Sequence, residues 1–216
     1  MKRKPLKGHD ESWAGTVLRT RFGVAAANWV FQGMRYMNGY ETSLKLALDA
    51  LLAAVVLWMT PGQTSAARVI FAVLLAHSVN WLVNGHFFVL MRYVRPFPKP
   101  VAAFGIYAES LRQRAEQCAR LDAVAIYGSY CRGELHEHSD LDVRVFVGEG
   151  IFNGTIGALF CLKERCFALF ARFPLDIYCF VGIRPAEQLR EDESPVILFD
   201  RSGKVSHHYS QSQSWD

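Results

Sequence analysis

Two long apolar runs, LKLALDALLAAVVLWM at 44–59 and VIFAVLLAHSVNWLVNGHFFVLM at 69–91, are separated by a short turn beginning Thr60-Pro61-Gly62-Gln63-Thr64-Ser65. Proline and glycine interrupt regular structure there, so the pair reads as a helical hairpin with helices at about 44–60 and 66–94. A bilayer crossing needs about 20 apolar residues with few charges. The first run is short and carries Asp49; the second is long enough, but His77, Asn80 and Asn84 interrupt it. Spacings of three and four put those three on one helical face, where they meet a partner helix while the remainder meets lipid. Charge favours insertion. Lys2, Arg3, Lys4, Lys7, Arg19, Arg21 and Arg35 precede the hairpin and Arg92, Arg95 and Lys99 follow it, whereas the turn is uncharged and Arg68 lies just beyond. That distribution is expected of a cell-membrane hairpin with both termini cytoplasmic. The competing reading is a cytoplasmic, soluble hairpin that buries its apolar faces against a partner chain or the second domain; the N-terminal helices also offer a surface for a homo-oligomer. Phe22–Phe31 is apolar but too short to span, and fits an interfacial helix.

Hydrophobic residues make up 51%, charged residues 20%, and the mean hydropathy is +0.08, values that exclude a disordered or fibrous chain. The net charge of +4 conceals an asymmetry: residues 1–100 hold 12 Lys/Arg against 4 Asp/Glu, and residues 101–216 hold 12 against 16. Neither half reads as a basic nucleic-acid-binding surface. Cys118, Cys131, Cys161, Cys166 and Cys179 form no CxxC pair and are odd in number, which points to reduced thiols in a cytosolic compartment. The basic start is followed by polar residues, unlike a cleavable signal peptide.

Arg95-Pro96-Phe97-Pro98-Lys99-Pro100 is a stiff linker, because alternating prolines exclude a continuous helix. It divides a helical region, 1–98, from a second domain, 99–201, with a polar tail at 202–216. In the second domain the pattern predicts helices at 104–119 and 155–171. Strands are expected at 123–127, 141–147, 175–181 and 195–199. Strands separated by helices within about 100 residues make a compact α/β domain. The Ser/His/Gln-rich tail reads as mobile.

The chemistry concentrates in Tyr127-Gly128-Ser129-Tyr130-Cys131-Arg132-Gly133-Glu134 and Ser139-Asp140-Leu141-Asp142-Val143-Arg144-Val145. Gly128 lets the chain turn sharply after a strand. Ser129 is expected to open a short helix, whose hydroxyl and free N–H groups suit phosphates, with Arg132 adding charge. Asp140 and Asp142 lie two apart at the start of a strand and project from one face. Such carboxylates repel unless cations lie between them, and hard divalent ions are the natural partners. Asp176, early in the next apolar strand, joins them if the two strands are neighbours. Three converging carboxylates make a site for two-metal phosphoryl or nucleotidyl transfer. Arg144 serves either substrate phosphate or as a counter-charge to the aspartates.

This arrangement resembles the DNA polymerase β-like nucleotidyltransferase superfamily, in its minimal members: an apolar strand, Gly-Ser, a spacer, then Asp-x-Asp. Gly128, Ser129, Arg132, Gly133, Ser139, Asp140 and Asp142 fit that pattern and Asp176 matches its third carboxylate by position, over roughly residues 104–200. The resemblance implies an α+β nucleotidyltransferase domain with a small mixed sheet flanked by helices. It also implies catalytic and metal-binding roles for Asp140, Asp142 and Asp176 with Mg²⁺ or Mn²⁺, and a nucleotide site at Gly128, Ser129, Arg132 and Arg144 for ATP or another NTP. The acceptor is not written in the residues. A lipid-linked or small metabolite fits a membrane-held enzyme, a protein partner fits an antitoxin-type member, and a non-catalytic NTP-binding scaffold is the remaining class. His136-Glu137-His138 lacks tetrahedral zinc spacing and reads as a solvated loop, as do His207 and His208 in the tail. His77, Asn80, Asn84 and His86 read as helix–helix glue or a pocket for a polar headgroup. Glu191-Asp192-Glu193 reads as an acidic loop.

Overall fold

The computed structural model describes residues 20–63, 65–84, 98–183, 194–209 and 213–215. Helix α1, Arg21–Phe31, is opened by Thr20, whose Oγ1 accepts from the Gly23 N–H at 2.9 Å. Helix α2, Gly39–Met59, starts earlier than the apolar run suggests, because Asn38 caps it: its Oδ1 accepts from the Glu41 N–H at 2.9 Å. After the turn, α3 runs over Ala66–Asn84. The continuation expected to residue 94, His86 and the first part of the linker lie outside the described residues. Arg68 donates to the Leu57 and Gly62 carbonyls, satisfying groups that the end of α2 leaves open.

The hairpin is polar inside and apolar outside. Ala72, Ala76, Asn80 and Asn84, four apart, are buried along α3. Asn80 Nδ2 donates to Asp49 Oδ1 at 2.8 Å and to the Lys45 carbonyl at 3.0 Å, and His77 Nδ1 lies 3.1 Å from Asp49 Oδ2. Asp49, which as a lone charge weighs against insertion, is thus partnered within the helix seam. Helix α1 closes over this seam: Gln32 Nε2 donates to the His77 carbonyl, Trp29 Nε1 to Ser78 and Trp81 Nε1 to Asn28. Meanwhile Leu51, Val55, Trp58, Ile70, Phe71 and Leu74 face outward, Trp58 with 82% of its surface exposed.

The second domain comprises α4 (Val101–Glu116), β1 (Leu121–Tyr127), β2 (Leu141–Val147), α5 (Ile151–Phe170), β3 (Leu175–Val181), β4 (Val196–Asp200), α6 (Lys204–His208) and β5 (Gln213–Ser214). The sheet order is β3-β2-β1-β4-β5, with β2–β3 and β4–β5 parallel and β1 antiparallel to both its neighbours. This is the small mixed sheet flanked by helices that the resemblance implies. One face carries Val124, Ile126, Val143, Val145, Ile177 and Cys179 and packs on Phe104 and Leu111 of α4 and Phe160 and Cys161 of α5. A bidentate pair, Arg114 to the fully buried Glu164 at 2.8 and 2.7 Å, joins the two helices. The other face has Ala123, Ala125, Tyr127, Phe146 and Ile197, covered by Val205 and Tyr209. Where a mobile tail is expected, the described residues form a short helix and a short strand. Asp200 accepts from the Ser202 and Ser206 N–H groups, which seats Val205 on the sheet, and Gln213–Ser214 adds a strand beside β4.

Helix α5 lies close to the sheet because Gly157 has no side chain. A Cβ there would stand 2.5 Å from Cys179 Sγ and 2.9 Å from a Val147 methyl. Gly157→Val is expected to cost about 1–3 kcal/mol by overpacking, read as a lower midpoint in denaturant unfolding; an unchanged midpoint would show that α5 seats with room to spare.

Candidate active site

The parallel register pairs Asp142 with Asp176, Arg144 with Tyr178 and Phe146 with Phe180, while β1 sets Tyr127 beside Asp142. Alternation along each strand puts all of them on the face away from α4 and α5. The acidic row thus lies at one end of that face, with Tyr127, Asp142 and Asp176 side by side. Asp140 stands two residues ahead of Asp142, just before β2 begins.

Burial and the neighbouring Asp176 and Asp140 carboxylates push the Asp142 carboxyl well above the ordinary carboxylate range, and Asp142 and Asp176 are hydrogen-bonded to each other. Two such groups side by side are stable without a cation only by sharing a proton. Among the described residues no group of three His, Cys, Asp or Glu side chains is placed to hold a metal ion. The donor chemistry nevertheless suits a hard divalent ion, since the carboxylates crowd one another and supply oxygen ligands alone.

Gly128 and Ser129 follow directly. Gly128 has a φ of +72°, and a Cβ there would fall 2.0 Å from Asp142 Oδ2, so glycine is required both by the backbone and by the approach of the carboxylate. The expected short helix after Ser129 is absent: residues 128–133 form successive turns, closed by the Gly133 N–H donating to the Tyr130 carbonyl and the Glu134 N–H to the Ser129 carbonyl. Gly133, at a φ of +67°, prevents helical continuation. The Ser129 hydroxyl is buried with no hydrogen-bond partner, a vacancy that a phosphate oxygen fits. Arg132 turns to Glu134, at 2.9 Å, and so points its guanidinium along its own turn.

Arg144 donates to the Asp176 carbonyl at 3.2 Å, stands 4.0 Å from its carboxylate and lies over the Tyr178 ring at 5.0 Å. Both counter-charge and phosphate contact are open to it from there. His136 and His138 remain in the loop before β2, where Ser139 Oγ accepts from the His136 N–H. His207 and His208 are exposed on α6. Glu191, Asp192 and Glu193 lie outside the described residues. All five cysteines are free thiols, Cys161 and Cys179 fully buried.

The residues that sequence reasoning did not reach come from the helical region. Tyr36 brings its ring to 6.1 Å from Tyr178, and Asn38 and Glu41 contact β3 directly. The Asn-x-x-Glu spacing signals a helix start, yet carries no sign of the distant strand that the side chains reach.

Between the ordinary carboxylate pKa and the raised one, the folded protein holds a proton that the unfolded chain has lost, so stability falls as pH climbs through that window. Asp142→Asn removes the burden. Without divalent cations it should melt above the wild type at about pH 8, the difference shrinking toward about pH 4; a variant melting below the wild type at the higher pH would refute the crowding.

No curated protein matches the chain. Residues 107–165 match the family model of the nucleotidyltransferase domain, a stretch running from α4 through β1, the Gly128–Gly133 turns and β2 into α5, and ending before Asp176. Over that stretch the chain is similar to the nucleotidyltransferase domain, and two long apolar helices precede it.

Proposed function

We propose that the protein is a metal-dependent nucleotidyltransferase that moves an NMP from an NTP to a hydroxyl or phosphate acceptor, releasing pyrophosphate, at the cytoplasmic face of a membrane. The observation that carries this reading is the placement of Asp142 beside Asp176, against the Gly128–Ser129 turn. Asp140, Asp142 and Asp176 are the residues that would hold Mg²⁺ or Mn²⁺. When bound, such ions neutralise charge on the phosphoryl oxygens and favour departure of pyrophosphate.

The chain's own groups do the rest. Ser129 Oγ and the N–H groups of its turn bind the β- and γ-phosphates, which takes up the vacant hydroxyl. Arg144 moves from the Asp176 carbonyl to substrate phosphate or stays as its counter-charge. Asp176 orients the acceptor and takes its proton. The acceptor oxygen then forms a bond to the α-phosphorus in line with the bond that breaks, the one to the bridging oxygen of pyrophosphate.

Membrane attachment is supported by the inside-out hairpin. Helices of 21 and 19 residues reach about 30 Å, the thickness of a hydrocarbon core, and their polar groups face one another rather than the surroundings. An enzyme so held meets lipid-linked acceptors and small metabolites gathered at the membrane surface.

Incubation with labelled ATP, CTP, GTP or UTP and Mg²⁺, with and without lipid extract, tests the chemistry. Wild type should release pyrophosphate and label an acceptor, and Asp140→Ala or Asp142→Ala should lose at least about a hundredfold while keeping the fold; wild-type turnover in Asp142→Ala would sink the assignment. Label on a protein would replace the membrane acceptor by a protein partner. In carbonate extraction the chain should stay with the lipid pellet, and release to the supernatant would remove the membrane.

A further inference from the structure

The helical region does more than adjoin the catalytic domain: it completes the edge of the strand that carries Asp176. Strand β3 is the last of its sheet, so the outward peptide groups of Ile177 and Cys179 have no neighbouring strand. Side chains take that place. The Cys179 N–H donates to Glu41 Oε2 at 2.9 Å, and the Cys179 carbonyl accepts from Asn38 Nδ2 at 2.8 Å. The Ile177 carbonyl accepts from Arg165 of α5. Arg165 in turn pairs with Glu41 Oε1 at 2.6 Å and donates to Asn84 Oδ1 at 2.7 Å, with both charged side chains almost wholly buried. Asn38 also caps α2. One residue therefore fixes the first turn of the hairpin and the edge of β3 together, and Arg165 fixes the end of α3 to the same strand. Just before this clamp, Tyr36 meets Tyr178, whose ring lies between Arg144 and Arg165 at 5.0 and 5.6 Å.

Ile177 follows Asp176 directly. The separation of Asp176 from Asp142 thus depends on where the edge of β3 is held. Both described side-chain hydrogen bonds to the Cys179 backbone come from the start of the hairpin. We infer that Asn38, Glu41 and Arg165 are positioning residues for Asp176, through which the seating of the apolar hairpin sets the affinity of the catalytic face for divalent cation. The inference rests on the metal-dependent reading above and adds to it that the hairpin is part of the site's supporting shell. Removing such outer supports costs metal affinity about 10–100-fold in general.

The test uses the full chain in lipid nanodiscs, with Mn²⁺ binding followed by loss of the free-ion resonance and with exchange of the Cys179 amide followed in cation-free protein. Asn38→Ala removes one donor and a cap; Glu41→Gln keeps an acceptor for the Cys179 N–H but loses the ion pair. Asp49→Asn is the control, because it breaks the His77 contact in the same hairpin without touching β3. Asn38→Ala and Glu41→Gln should weaken Mn²⁺ binding about tenfold and speed Cys179 exchange, while Asp49→Asn changes neither, even where it lowers the melting temperature as much. Should Glu41→Gln fail to fold, Asn38→Ala decides. Wild-type Mn²⁺ affinity in a folded Asn38→Ala protein overturns the inference and leaves the proposed function standing. Equal weakening by Asp49→Asn overturns it too, by reducing the effect to general stability. No Mn²⁺ binding by the wild type removes the metal-dependent reading and this inference with it.

Discussion

Seven consecutive residue pairs, Leu141 with Leu175 through Val147 with Val181, hold β2 and β3 in parallel register, and that register sets Asp142 beside Asp176. The rest of the catalytic domain depends on this pairing. Parallel neighbours need a long crossover, which α5 supplies, and α5 must lie close enough to the sheet to bury Cys161 and Phe160. A slip of β3 by one residue would turn Asp176 into the apolar layer under α4 and α5 and leave Asp142 on the other face. The alternation of Val143, Val145, Ile177 and Cys179 into that layer is what forbids the shift.

The arrangement has an electrostatic cost that the fold must carry. Adjacent carboxylates at a sheet face repel, and burial together with that repulsion raises the affinity of Asp142 for a proton. Arg144 offsets part of it, from a distance of 4.0 Å and over an aromatic ring. The remainder is resisted mechanically, by apolar packing on one face and by the capped outer edge of β3. Sites that concentrate like charge are commonly less stable than their surroundings, and here the stabilising contacts come from a different part of the chain.

That other part reverses the usual distribution of polarity. Asp49, His77, Asn80, Lys45 and Asn84 face one another between α2 and α3, and Trp58, Leu51, Ile70 and Phe71 face outward. In water such a surface would draw other apolar surfaces; in lipid the internal hydrogen bonds would join the helices where the hydrophobic effect would not. The polar groups nearest the catalytic domain, Glu41 and Asn84, are those that engage Arg165. Glu41 and Asn84 thus belong both to the hairpin and to the support of β3.

Much of this was legible in order of residues. The Gly128-Ser129 turn, the Asp140-x-Asp142 spacing and the apolar strands around them are local patterns, and local patterns are what steric limits and alternation write into a chain. The two apolar runs and their Pro-Gly break declared a hairpin for the same reason. Other features were not legible. Ser129 was expected to begin a helix, but Gly133 at positive φ turns the chain instead, and the outcome depends on how the turn packs against Asp142. The polar tail read as mobile until Val205 found the depression above Ala123 and Ala125. Asn38 and Glu41 signalled only a helix start, because nothing within a few residues tells that their other atoms meet Cys179, some 140 positions away. The residues alone thus determined the main helices and strands and the acidic character of the site, since both follow from near neighbours. Which strand lies beside which, and what holds the outermost one in place, is decided only by the burial of charge and backbone among segments distant in the chain, and that exists only once the chain has folded.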